Sequence, residues 1–192
     1  MRQTVARVRQ NAKAKGARWT SRGEAATRHG DYTRVMDDAL LERLREQSGL
    51  RLDAEGRFWH RDGLVEHART VEVLHRGLHR APDGRWATRI GSEWGYLAVD
   101  VVPFFVRRLE PELDGQRVSL RAWLIDGREV VVDPGALERG EGDALLLRLP
   151  DGERALLLRA AQASLAPFLR EDGAGFALAF GNQLFAIAPA GR

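Results

Sequence analysis

Two Asp-Gly pairs, Asp62-Gly63 and Asp83-Gly84, return 89 residues further along as Asp151-Gly152 and Asp172-Gly173. The stretch behind each second pair returns too, displaced by 90. Trp86-Ala87-Thr88-Arg89-Ile90-Gly91-Ser92-Glu93-Trp94 answers to Phe176-Ala177-Leu178-Ala179-Phe180-Gly181-Asn182-Gln183-Leu184, and Ala98 answers to Ala188. An offset held over about 35 residues points to one structural unit used twice. Coincidence competes with that reading, because the chain holds six Asp-Gly pairs and the dipeptide is a common turn former.

Periodicity fills in the elements between these turns. Val35, Leu40, Leu41 and Leu44 set a helical stripe within 31–49, with Gly49 as its stop. Short strands follow at Leu50–Leu52 and Arg57–His60. A helix is expected over His67–Arg80, with Ala68, Val71, Leu74 and Leu78 on one face and Pro82 unable to continue it. Strands at Arg85–Ile90 and Trp94–Val102 join through Gly91-Ser92-Glu93. Further strands are expected at Arg117–Ile125 and Arg128–Val132, then a polar loop from Asp133 to Gly142. A hairpin, Leu145–Leu149 with Arg154–Leu158, crosses Asp151-Gly152. A helix near Ala160–Leu169 and strands at Gly175–Phe180 and Leu184–Ala188 end the pattern.

The reading is an α+β fold of two repeated helix-plus-antiparallel-sheet units with linking strands. Its parts are a basic arm at 1–30, a helix in 31–49, a first unit at 50–109, linking strands at 110–140 and a second unit at 141–192. Val71, Leu74, Leu78, Trp86, Leu97, Val99, Phe104, Phe180 and Ile187 are the expected core. The βαβ alternation of a nucleotide-binding α/β fold does not occur.

Composition sets the function classes. Residues 1–30 hold eight Lys/Arg and one acidic residue, Glu24, whereas the other 162 hold 22 basic and 26 acidic groups. The basic character therefore belongs to the arm, which offers weak, non-specific nucleic-acid binding. Arginine outnumbers lysine 28 to 2, and its scatter along the chain reads as GC-rich coding. With no cysteine there is no disulfide, thiolate nucleophile or cysteine metal site. No apolar run approaches the ~20 residues that span a bilayer, and no signal-peptide pattern opens the chain. The cytoplasm is the expected location, with no membrane partner. Neither a nucleophile elbow, a P-loop, a dinucleotide fingerprint nor a His-Glu-x-x-His helix occurs, so neither a cofactor nor a catalytic residue is expected.

The histidines and tryptophans supply the candidate site. Glu72, His75 and His79 have a helical spacing that suits metal ligands, but a fourth partner is missing and they read as boundary residues of a solvated helix. His67 falls inside the predicted apolar face, in the first helical turn, where free N–H groups and the helix dipole receive an anion. Trp59 and His60 approach it across Asp62-Gly63. At the next hairpin tip Glu93 and Trp94 place a carboxylate beside an indole, suited to a cation or a basic partner. Trp59, His60, His67, Glu93 and Trp94 are thus the ligand-binding candidates, with an anionic or hydrogen-bond-accepting ligand preferred beside His67. Packing alone is the stronger account of Trp59, and a solvated turn the stronger account of Glu93.

Gly56-Arg57-Phe58-Trp59-His60-Arg61-Asp62-Gly63-Leu64-Val65-Glu66-His67, Asp83-Gly84-Arg85-Trp86 and above all Val99-Asp100-Val101-Val102-Pro103-Phe104 resemble the bacterial domain of unknown function 1285 family. Val101 stands where that family's last motif has its second acidic residue, and Gly91 where many members have proline. The resemblance covers Gly56–Leu109 and implies an α+β fold with repeated motifs and a part in signalling or ligand binding. It implies no activity, cofactor or catalytic residue. Together these observations describe a non-catalytic binding or interaction module, whose partner is a small ligand or a signalling protein. The alternative is a nucleic-acid-associated accessory protein that uses its basic arm.

Overall fold

A computed structural model describes residues 38–173 and 175–191. The basic arm and the start of the first expected helix lie outside the described residues. Helix α1 (Asp38–Glu46) leads into β1 (Leu50–Leu52), β2 (Phe58–His60) and β3 (Gly63–Leu64), then α2 (Ala68–Arg76), β4 (His79–Arg80), β5 (Trp86–Ile90) and β6 (Glu93–Val99). These six strands form one sheet, in the order β3-β2-β1-β6-β5-β4. Its centre is a parallel pair in which Leu50, Arg51 and Leu52 face Leu97, Ala98 and Val99.

Strict alternation marks the second strand of the longest pair. In β7 (Phe104–Asp114) and β8 (Arg117–Leu124), Val118, Leu120, Ala122 and Leu124 point inward, while Arg117, Ser119, Arg121 and Trp123 point out. Next come β9 (Glu129–Val132), β10 (Leu137–Arg139), β11 (Leu145–Arg148), β12 (Arg154–Leu157), α3 (Arg159–Leu165), β13 (Leu169–Asp172), β14 (Gly175–Phe180), β15 (Gln183–Ala186) and β16 (Ala188–Pro189). A seven-stranded sheet runs β16-β10-β11-β12-β7-β8-β9, with β10–β16 and β12–β7 parallel, and β13-β14-β15 form a third sheet.

Two hydrophobic cores meet at β7. Adjacent residues of a strand face opposite ways, so Phe104 joins the larger core under β8 and α3. Phe105 joins a smaller one with Leu52, Phe58, Leu74 and Leu97. Leu78 and Trp86 pack against both. Of the expected core, Leu74, Leu97, Phe104, Phe180 and Ile187 are buried, and Val71, Leu78, Trp86 and Val99 are half-buried.

The structure is mostly β and overturns the α+β reading of two helix-plus-antiparallel-sheet units. The segment read as a linker supplies the end of β7 and all of β8, β9 and β10 to the seven-stranded sheet, and parallel pairs occur in both larger sheets. The two hairpins that carry the 90-residue offset do share a register, since Ile90 faces Glu93 as Phe180 faces Gln183. Yet β6 is an inner strand between β1 and β5, whereas β15 is an edge. The polar loop after Asp133 contains β10, whose Leu137 and Glu138 are buried. The helix expected to reach Arg80 stops at Gly77, and β4 begins two residues later. No helix among the described residues is long and apolar enough to cross a membrane.

Candidate functional site

Of the five residues singled out from sequence, Glu93 and Trp94 line one concavity together, and Trp59, His60 and His67 are not part of its lining. Trp59 is half-buried in β2, and its Nε1 donates to Asp53 Oδ2 at 2.7 Å. The same carboxylate accepts from Arg57 Nε at 2.9 Å and from the backbone N–H groups of Glu55 and Arg57 at 3.0 and 2.8 Å. Burial alone would raise the Asp53 pKa, but the hydrogen bonds from Trp59 and Arg57 outweigh it and hold the carboxyl below its ordinary range. His60 is exposed at the end of β2, and Glu93 is exposed at the β5–β6 tip. Trp94 is half-buried, edge-on to Tyr96 at 5.2 Å and to His79 at 6.1 Å, beneath the Arg45 guanidinium at 4.2 Å. Trp59 lies level, through Arg51, with Ala98, four residues along β6 from Trp94.

His67 and His75 exchange their expected roles. Helix α2 begins at Ala68, so His67 is the residue before its first turn, with extended backbone (φ −65°, ψ 108°), and a helical-wheel angle does not describe it. Its exposed Nδ1 accepts the Thr70 N–H at 3.3 Å and caps the helix. His75 turns inward with Leu74 and is only 2% exposed. Its Nε2 donates to the Gly56 carbonyl at 3.0 Å, and its ring meets Phe58 edge-on at 4.7 Å. Of the three residues read as boundary positions of a solvated helix, His75 is thus buried, while Glu72 pairs with Arg76 and His79 Nδ1 holds the Gly77 carbonyl. Among the described residues no group of three or more His, Cys, Asp or Glu side chains is arranged to hold a metal ion.

Burial pushes the His75 pKa below its ordinary value, against the opposing pull of the Gly56 carbonyl and the Asp126 charge. The unfolded chain thus takes up the proton first. Stability is complete above the ordinary histidine range and falls as pH drops below about 6.5. Urea midpoints of the wild type should accordingly decline between about pH 7.5 and 5.5, a slope that His75→Gln should reduce. Equal slopes in both proteins would remove His75 from this dependence.

Another concavity lies where α2, β4 and β5 meet β7 and the turns of the seven-stranded sheet. It measures about 350 Å³. Trp86 and Phe104 form its apolar wall, edge to face at 5.5 Å. Arg80 lies 4.3 Å over the Trp86 ring and donates through Nε and Nη2 to the two oxygens of Glu153, at 3.1 and 3.3 Å. Arg128 lies 4.3 Å over Phe104. Its Nε donates to Asp126 Oδ2 at 2.7 Å and its Nη1 to Asp151 Oδ2 at 3.1 Å. Its Nη2 is buried with no hydrogen-bond partner. Three arginines, Arg76, Arg80 and Arg128, balance Asp126, Asp151 and Glu153, so the charges of the lining cancel.

Sequence reasoning missed this cleft because it treated the turn aspartates as engaged and the arginines as composition. The signal was the tripeptide Asp-Gly-Arg, present at 83–85 and 126–128. In each, the arginine returns its backbone N–H and its Nε to the two oxygens of its own aspartate. The guanidinium so held then lies over a ring, Tyr96 at 3.5 Å for Arg85 and Phe104 at 4.3 Å for Arg128.

No family model and no curated protein matches the chain. Two solved structures are similar. A DUF1285 family protein from Silicibacter pomeroyi DSS-3 is 18% identical and superposes with a TM-score of 0.57, over 74% of this chain and 80% of its own. Another, from Shewanella baltica OS155, is also 18% identical, with a TM-score of 0.47 over 62% of this chain and 90% of its own. The chain has a DUF1285-like fold.

Proposed function

We propose that this protein is a non-catalytic binding module whose small-molecule site is the cleft between Trp86, Phe104 and Arg128. One observation carries the reading, the buried Arg128 Nη2 with no partner. A buried donor left unsatisfied costs roughly 1–3 kcal/mol, which an acceptor on a ligand would recover. The setting also fits, since binding sites combine apolar walls with a few convergent polar groups. Binding suits the cleft better than catalysis, because its carboxylates each anchor an arginine and none stands free beside the rings.

A thermal-shift screen of the full-length protein against metabolites tests this. A ligand present at 100 times its Kd should add about 2.7 kcal/mol of apparent stability. Hits should lose their effect in Arg128→Gln and keep it in His67→Ala. Hits that stabilise Arg128→Gln as well as the wild type would place binding outside the cleft.

A further inference from the structure

Which ligands suit the cleft follows from the polar groups already engaged there. Asp126 Oδ1 accepts the Arg128 N–H and Oδ2 accepts Arg128 Nε. Asp151 Oδ1 accepts the Glu153 N–H and Oδ2 accepts Arg128 Nη1. Both oxygens of Glu153 accept from Arg80. Each carboxylate oxygen of the lining therefore already accepts from a donor within the protein, four of the six from a guanidinium, and a cationic ligand would compete with those bonds.

An anion fares no better. The single charge of Arg128 already faces two carboxylates, Arg80 faces Glu153, and Arg76 pairs with Glu72 at 2.7 Å. A second anion at Nη2 would lose its hydration and gain no surplus positive charge in return. What remains is one unpartnered donor beside two aromatic rings that are each covered by a guanidinium plane. Guanidinium planes stack on flat π systems, so the walls favour a flat ligand over a branched one.

We infer that the cleft takes a planar, uncharged molecule bearing a carbonyl-type acceptor, such as an aromatic amide or lactam, with that oxygen on Arg128 Nη2. This rests on the reading of the cleft as a binding site. It differs from the preference for an anion drawn from the sequence, because that preference concerned the helix start at His67.

Three probes that share one ring separate the possibilities: benzamide, neutral with a carbonyl; benzoate, an anion; and benzamidine, a cation. Each is titrated into the full-length wild type, and the Trp86 indole N–H resonance, identified by its loss in Trp86→Phe, is followed. Benzamide should shift it saturably, with a Kd roughly ten-fold or more below those of the two charged probes, the size expected for one hydrogen bond to a charged donor. Benzoate or benzamidine binding as tightly as benzamide would overturn the ligand class and leave the cleft as a site. Silence of Trp86 towards all three would overturn the site and the class together. The affinities themselves are compared on the wild type, and Trp86→Phe serves only to identify the resonance.

Discussion

Replacing Phe105 by alanine should lower the stability of the folded chain by about 3–5 kcal/mol, through lost transfer energy and an unfilled cavity. Phe105 is 1% exposed and belongs to the smaller core, where Leu52, Phe58, Leu74 and Leu97 are buried with it and half-buried residues such as Val71, Val99 and Ile125 pack against them. The backbone of Gly56 rests against its ring, so closely that a Cβ added there would lie 3.1 Å from the ring carbons. His75 meets it edge-on at 6.4 Å. Urea denaturation should show the loss as a lower midpoint. Phe176→Ala, at a ring that is 40% exposed, should change stability by less than about 1 kcal/mol. Similar losses for the two variants would mean that the smaller core contributes little.

Gly77→Ala should cost about 3 kcal/mol, for a different reason. Gly77 ends α2 with φ −82° and ψ −3°, a conformation alanine adopts readily. Its contacts are the difficulty. An added Cβ would fall 2.2 Å from the Arg89 carbonyl oxygen, 2.7 Å from the Arg89 nitrogen and 3.0 Å from Thr88 Oγ1. Arg89 also donates its N–H to the Gly77 carbonyl at 3.1 Å, so helix and strand are fastened where they would need to part. Gly84→Ala is the instructive contrast. Its φ is +84° and no atom lies within 4 Å of the added carbon, so only the left-handed backbone penalty of about 1–2 kcal/mol applies. Thermal melts should rank Gly77→Ala clearly below Gly84→Ala. The reverse order would show that β5 moves aside at little cost.

Much of the local structure was legible from period and punctuation. Alternation in Arg117–Leu124 and the Asp-Gly turns marked strands that the structure contains, and the stripe through Leu74 located α2. What the sequence concealed was pairing. Nothing in Leu50-Arg51-Leu52 announces that its neighbour is β6, running parallel, because parallel partners lie far apart in the chain. Pro103 hid the start of β7, and three buried or half-buried residues were too few to distinguish β10 from a loop. The histidines were misassigned for a simpler reason. A one-residue shift in where α2 begins moves His67 off the helical face and leaves it as a cap, while the inward position at Leu74 carries His75 with it. The cleft was harder to see, since it draws on the turns at Asp126-Gly127 and Asp151-Gly152, which only the folded sheet brings near one another and near Arg80 and Trp86.

The three parallel pairings also govern how the chain reaches this state. Leu50 meets Leu97, Phe104 meets Ala155, and Glu138 meets Ala188, so each contact closes a loop of about fifty residues before any of its hydrogen bonds can form. Local hairpins such as β5–β6 assemble early at little entropic cost, but they cannot by themselves set the order of the sheets. Folding is therefore limited by long-range search, on the millisecond-to-second scale of topologies dominated by non-local contacts. During that interval the inner strands β1 and β12 stand with one edge unpaired, and that is when this chain is most open to association with its own copies.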